Sequence, residues 1–141
     1  MARGRSNFKM GTVEMIILFL LDKGDFYGYQ LTTLIKRLSE GSFVVTESTL
    51  YPTMYKLLDR KFISDYEQNA GKRRIRVYYH LEEAGRGRLS DLLEDYREIT
   101  RGIERILACT ELDEGMREGR ASQLPDDGAG AGKGGTDESG D

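Results

Sequence analysis

The chain has 141 residues, 38% of them hydrophobic and 32% charged, with a net charge of -3, one cysteine, one histidine and no tryptophan. Its length allows about one domain, and a lone cysteine (Cys109) excludes an intramolecular disulfide and any multi-cysteine metal site. The longest apolar run, Met15-Ile-Ile-Leu-Phe-Leu-Leu21, is far shorter than the roughly 20 residues that span a bilayer, so no membrane span is expected, and the cysteine usage suits a reducing, cytoplasmic setting.

The first predicted element is a helix from Thr12 to Asp22, with Thr12 as its N-cap and Gly24 as its terminator. Val13, Ile16, Ile17, Leu20 and Leu21 follow helical spacing, while Leu18 and Phe19 widen the apolar surface enough to suggest contact with a second subunit. The run ends in Asp22-Lys23-Gly24 with no small-residue cleavage site, which reads as a buried helix and not a signal peptide. Arg3 and Arg5 before it are candidates for a flexible basic arm. A second helix follows Gly28 and stops near Gly41, with Leu31, Leu34, Ile35 and Leu38 inward and Gln30, Lys36 and Arg37 outward.

The third helix lies within Thr46–Arg60. At 100° per residue Leu50, Met54 and Leu57 share one face, Ser48, Thr49, Pro52, Tyr55 and Lys56 lie opposite, and Tyr51 sits on the flank. Residues 62–69 and 74–81 then read as two strands around Ala70-Gly71-Lys72-Arg73. The second strand alternates, with Ile75, Val77, Tyr79 and Leu81 on one face and Arg74, Arg76, Tyr78 and His80 on the other. Three helices and a hairpin make a winged helix-turn-helix over residues 1–81.

A long helix over about Glu83–Cys109 completes the folded part. Leu89, Tyr96 and Ile103 are spaced by seven, as are Leu92, Ile99 and Ile106, which gives an a/d seam of nearly three heptads and a candidate dimer interface. Residues 82–110 therefore read as a dimerisation helix. From Glu111 onward Gly, Asp, Glu and Ser dominate, and residues 111–141 read as a disordered acidic tail. The tail explains the overall charge: it holds 3 Lys and Arg against 9 Asp and Glu, whereas residues 1–80 hold 13 against 8. Positive charge gathers where the helix-turn-helix is, as nucleic-acid binding requires.

These elements resemble the PadR family of bacterial transcriptional regulators from about Gly11 to Leu93. The matching pieces are Gly28-Tyr29, Ser48-Thr-Leu-Tyr-Pro52, Leu57-Leu-Asp-Arg-Lys-Phe-Ile63, Arg76-Val-Tyr-Tyr-His-Leu81 and Gly85. The family usually has glycine at Ser48, glycine at Phe62 or its neighbour, and threonine at Glu82. A single C-terminal helix is similar to the family's shorter subgroup. The resemblance implies a homodimer, usually a repressor, that binds a near-palindromic promoter site and responds to a small-molecule effector. It also implies that the last helix packs against the partner's first helix.

The candidate DNA contacts are Ser48, Thr49, Tyr51, Tyr55 and Lys56 on the third helix, and Lys72, Arg73 and Arg74 at the hairpin tip. Hydroxyls near a helix N-terminus suit phosphate, an α-helix fits the major groove, and a basic tip suits backbone or minor groove. A solvated helix face accounts for Lys56 but poorly for two outward tyrosines. The sequence does not locate an effector site; the space between paired long helices, near Tyr96 and Ile99, is one candidate.

Enzyme chemistry finds little support. Gly-Ala-Gly-Ala-Gly-Lys133 resembles a phosphate loop only superficially, because Asp127 stands at the first glycine position and Gly134 at the Ser/Thr position. His80 and Cys109 have no partner at triad or metal-ligand spacing, so no catalytic residue, metal or cofactor is expected. The competing reading is a winged helix used for protein–protein contact without DNA.

Overall fold

The spacing of Leu50, Met54 and Leu57 fixes how the molecule is assembled, because that stripe must be covered on every side. A computed structural model describes residues 2–117, with side chains from Thr12 onward apart from Glu114. The elements are α1 (Ala2–Leu21), β1 (Phe26–Tyr27), α2 (Gly28–Leu38), α3 (Glu47–Asp59), β2 (Ile63–Asn69), β3 (Ile75–Leu81), α4 (Glu83–Leu107) and α5 (Glu114–Arg117). They fall into two compact units, Met1–Ile99 and Thr100–Asp141. The first is a winged helix-turn-helix, mainly α with a small antiparallel sheet, as the sequence leads one to expect.

Its core joins Ile17, Leu18, Leu31, Leu50, Met54, Leu57 and Leu81, all essentially without solvent contact. Each such side chain contributes roughly 1.5–3 kcal/mol by leaving water. Leu18 was a candidate for a subunit contact, but it is buried in its own domain, and only its neighbour Phe19 faces out, under the Lys23 ammonium. α1 also begins before its expected start, so Thr12 is an interior residue and not a cap. Arg3, Arg5, Met10 and Lys9 favour helix, and Gly4 and Gly11, at about 1 kcal/mol each, do not interrupt it. Arg3 and Arg5 therefore stand on a helical backbone where an irregular arm was expected; their side chains lie outside the described residues.

Leu38, expected inward, is 65% exposed. It is the last residue of α2, which closes with Gly41 N–H donating to the Lys36 carbonyl at 2.8 Å and Glu40 N–H to the Arg37 carbonyl at 3.0 Å. The turn ends the helix before Leu38 is covered, and Leu38 instead borders an apolar groove of about 320 Å³ with Ile16, Phe19, Ile35 and Phe43.

The sheet has a third strand that hydrophobic periodicity does not reveal. β1 pairs with β3 through Phe26↔Tyr79 and Tyr27↔Tyr78, so the order is β1-β3-β2 and β3 is central. The β2–β3 register runs from Ile63↔Leu81 to Asn69↔Ile75. The alternation of β3 is as expected, yet only Tyr79 and Leu81 are buried; Ile75 is 60% and Val77 37% exposed, because the hairpin projects past the helices. On the other face Tyr78 stands between Tyr27 and Tyr66, at centroid distances of 5.3 and 5.7 Å, and the Arg76 guanidinium lies 4.4 Å over Tyr27. Asp25 accepts the Tyr66 hydroxyl at 2.8 Å and meets His80 Nδ1 at 2.9 Å. Burial pushes the Asp25 carboxyl up, but the His80 and Tyr66 hydrogen bonds outweigh it and hold its pKa below the ordinary value.

α4 starts against this domain. A Cβ on Gly85 would strike the Phe62 carbonyl oxygen, and Glu82 N–H donates to that same carbonyl at 3.0 Å. Arg88 grips Glu14 of α1 with two hydrogen bonds, 2.7 and 3.2 Å long. In the second unit the last turns of α4 lead to α5, one helical turn within the expected tail, where Asp113 Oδ1 accepts from Met116 N–H at 2.9 Å. The rest of the acidic tail, including the glycine-rich stretch before Lys133, lies outside the described residues.

Candidate nucleic-acid interface

With Leu50, Met54 and Leu57 turned inward, helical geometry sends Ser48, Pro52, Tyr55 and Lys56 to solvent, and all four are exposed. Thr46 is the N-cap residue; its carbonyl accepts from Leu50 N–H at 2.9 Å and its hydroxyl meets the Ser48 hydroxyl at 2.9 Å. Pro52 has no N–H to give to the Ser48 carbonyl, so the i→i−4 ladder of α3 has a gap at that one carbonyl. Thr49 is half-buried and its carbonyl takes the Thr53 hydroxyl at 3.1 Å.

Tyr51 and Tyr55 are neighbours on α3, with ring centroids 6.3 Å apart, but they are held differently. Tyr55 is 61% exposed. Tyr51 lies over Gly28, where a Cβ would collide with its ring and hydroxyl, so the glycine that opens α2 is the seat of a tyrosine from α3. Burial, then Glu47, then Tyr55 raise the Tyr51 hydroxyl pKa and keep it a hydrogen-bond donor. Tyr79 of β3 backs the pair: burial and the nearby hydroxyls of Tyr51 and Tyr55, with Asp65, push it up to about 12. Glu47 adds a negative charge to the first turn of α3, which offsets part of the dipole's attraction for phosphate.

The wing brings the rest. Lys72, Arg73 and Arg74 are all exposed at the tip, where Ala70 N–H donates to the Arg74 carbonyl at 2.9 Å. Tyr29, which follows Gly28, is 64% exposed at the start of α2. The domain therefore carries both a helix face of hydroxyls and a basic hairpin, the two parts a protein needs to sit on a duplex.

Of the expected dimer residues, Leu89 is buried in its own domain and Leu92 is half-buried against that core. Tyr96, Ile99, Ile103 and Ile106 remain exposed, Ile106 by 72%. Among the described residues no helix is long and apolar enough to cross a membrane.

Comparison with known proteins gives the same reading. Residues 17–91 match the family model described as the transcriptional regulator PadR-like family. The chain is 31% identical over 97 residues to the transcriptional regulator YqjI of Escherichia coli, a match covering 69% of this chain but only 43% of YqjI. Its fold is similar to a transcriptional regulator from Clostridium thermocellum, with a TM-score of 0.65 and 29% identity over 71% of this chain and 94% of the other. It is also similar to Bacillus subtilis PadR solved in complex with operator DNA, with a TM-score of 0.55 and 30% identity over 58% of this chain and 46% of PadR. YqjI and the Clostridium thermocellum protein are both described as transcriptional regulators. The motifs that the match spans are the ones the packing explains: Gly28 under Tyr51, Leu50 and Met54 in the core, and Gly85 against Phe62. This chain belongs to the PadR-like family of transcriptional regulators.

Proposed function

We propose that the protein is a homodimeric, ligand-responsive repressor of the cytoplasm that binds a near-palindromic promoter site. The observation that carries this reading is that one compact unit holds both an exposed α3 face and an exposed basic wing tip: Ser48, Thr49, Tyr51, Tyr55 and Lys56 would meet bases and phosphates, and Lys72, Arg73 and Arg74 the backbone or minor groove. That a relative was solved on operator DNA supports it.

A palindromic site needs two copies, and residues 82–110 are the proposed dimerisation helix. The exposed Tyr96, Ile99, Ile103 and Ile106 form an apolar stripe that water disfavours, and Phe19 on α1 is the exposed aromatic a partner helix would cover. The space lined by Tyr96 and Ile99 between the two long helices is the proposed effector site.

The test is sedimentation equilibrium together with fluorescence anisotropy on duplexes from the chain's own upstream region. A dimer that binds one such duplex, and an Ile103→Glu/Ile106→Glu variant that is monomeric with DNA affinity reduced at least tenfold, are the expected results. A wild-type monomer, or no binding to any duplex at low salt, contradicts the proposal.

A further inference from the structure

Backbone with φ near +60° suits glycine, because an L side chain there crowds its own carbonyl. Among the described residues three non-glycines adopt it: Glu40 (55°), Lys61 (64°) and Arg73 (64°). Two of them close helices. Glu40 follows α2 in the turn described above, and Lys61 follows α3, where Phe62 N–H donates to the Leu57 carbonyl and Lys61 N–H to the Leu58 carbonyl, both at 3.0 Å. In such turns the helix's last carbonyls gain partners, and a lysine there also faces the negative end of the helix dipole.

Arg73 closes no helix, and its turn returns only hairpin bonds at the tip. It is the third residue of a turn from Gly71 to Arg74, closed by a long 3.4 Å bond from Arg74 N–H to the Gly71 carbonyl. A positive φ at the third turn position is where glycine or asparagine is favoured. Gly71, at φ 123°, already supplies one glycine to this loop, yet the second position that asks for it holds arginine. Every residue from Gly71 to Ile75 is exposed, and no hydrogen bond or ion pair to another described side chain holds the guanidinium. Strain that packing does not recover is expected where a side chain serves a partner.

We propose that Arg73 is kept at a glycine position of the wing because its guanidinium binds DNA phosphate, so that the tip gives up fold stability for affinity. The proposal rests on the DNA-binding reading above and deepens it. It separates Arg73 from Lys72 and Arg74, whose backbone has no positive φ.

The test compares the full-length wild type with R73G, R73N, E40G and K72A, measuring the thermal midpoint without DNA and the affinity for a random-sequence duplex across a salt series. R73G and R73N are expected to raise the midpoint by about 2–5 °C. They should also weaken binding roughly 3–10-fold and lower the log–log salt slope by about 0.9. E40G relieves the same kind of strain far from the tip, so it should raise the midpoint and leave affinity unchanged. K72A should weaken binding without raising the midpoint. Stabilised R73G and R73N variants that bind as tightly as wild type overturn the proposal, and so do variants that bind weakly without being stabilised. If the wild type binds no duplex at low salt, the DNA reading fails and takes this proposal with it, while the midpoints still report the strain.

Discussion

The two ends of the wing carry the same alternation and have opposite fates. At the base Ile63, Tyr79 and Leu81 are sealed against the helices, whereas at the tip Ile75 and Val77 on the same face of β3 stand in water. What distinguishes them is cover: the base of the hairpin joins the core shared with the helices, and the tip is left in solvent. The base holds the wing in place, and the tip is free to meet something else. Alternation alone identifies a strand, but the extent of the neighbouring layer decides which of its residues are core.

That contrast gives a graded set of expectations. The largest effect is at the base: Leu81→Ala, at a position 1% exposed, should cost about 3 kcal/mol in urea denaturation, whereas Val77→Ala should cost below about 1 kcal/mol. Equal losses would mean that the tip is packed after all. Next is Gly28→Ala, where the added methyl must displace Tyr51; a loss of about 1–3 kcal/mol is expected, with Tyr51→Phe on the alanine background recovering part of it because the hydroxyl is the nearest atom. Smaller still is a pH effect on the sheet's outer face. The folded-state pKa of Asp25 is depressed, so its contribution is complete above about pH 4 and is lost as the pH falls through that depressed value. Asp25→Asn should flatten the acid limb of the stability profile; an unchanged limb would show that the His80 and Tyr66 contacts do not couple to folding.

Much of the fold was legible in the sequence, for reasons visible in individual residues. Leu50, Met54 and Leu57 sit where a 3.6-residue period puts them, and the two long strands announce themselves by alternation. β1 was not legible because two residues carry no period, and Phe26 and Tyr27 become a strand only through their pairing with Tyr79 and Tyr78. Leu38 misled because it keeps the helical period at a position where the helix has already begun to close. Leu89 misled in the opposite sense: it belongs to a genuine seven-residue series, but the start of that series is consumed by its own domain. The candidate site was readable as residue types and not as geometry. Tyr51 and Tyr55 look alike in the sequence, and only the absence of a side chain at Gly28 makes one a fixed, half-buried ring and the other an exposed one.

The central claim is that the exposed tip and the outward face of α3 together hold a duplex. The most direct test is the salt dependence of binding to random-sequence DNA, for the wild type and for a Lys72→Ala/Arg73→Ala/Arg74→Ala variant. Each lost phosphate contact should lower the slope of log affinity against log salt by about 0.9, so the variant should bind all sequences more weakly with a slope reduced by up to about 2.7. A variant with full affinity and an unchanged slope would contradict the account.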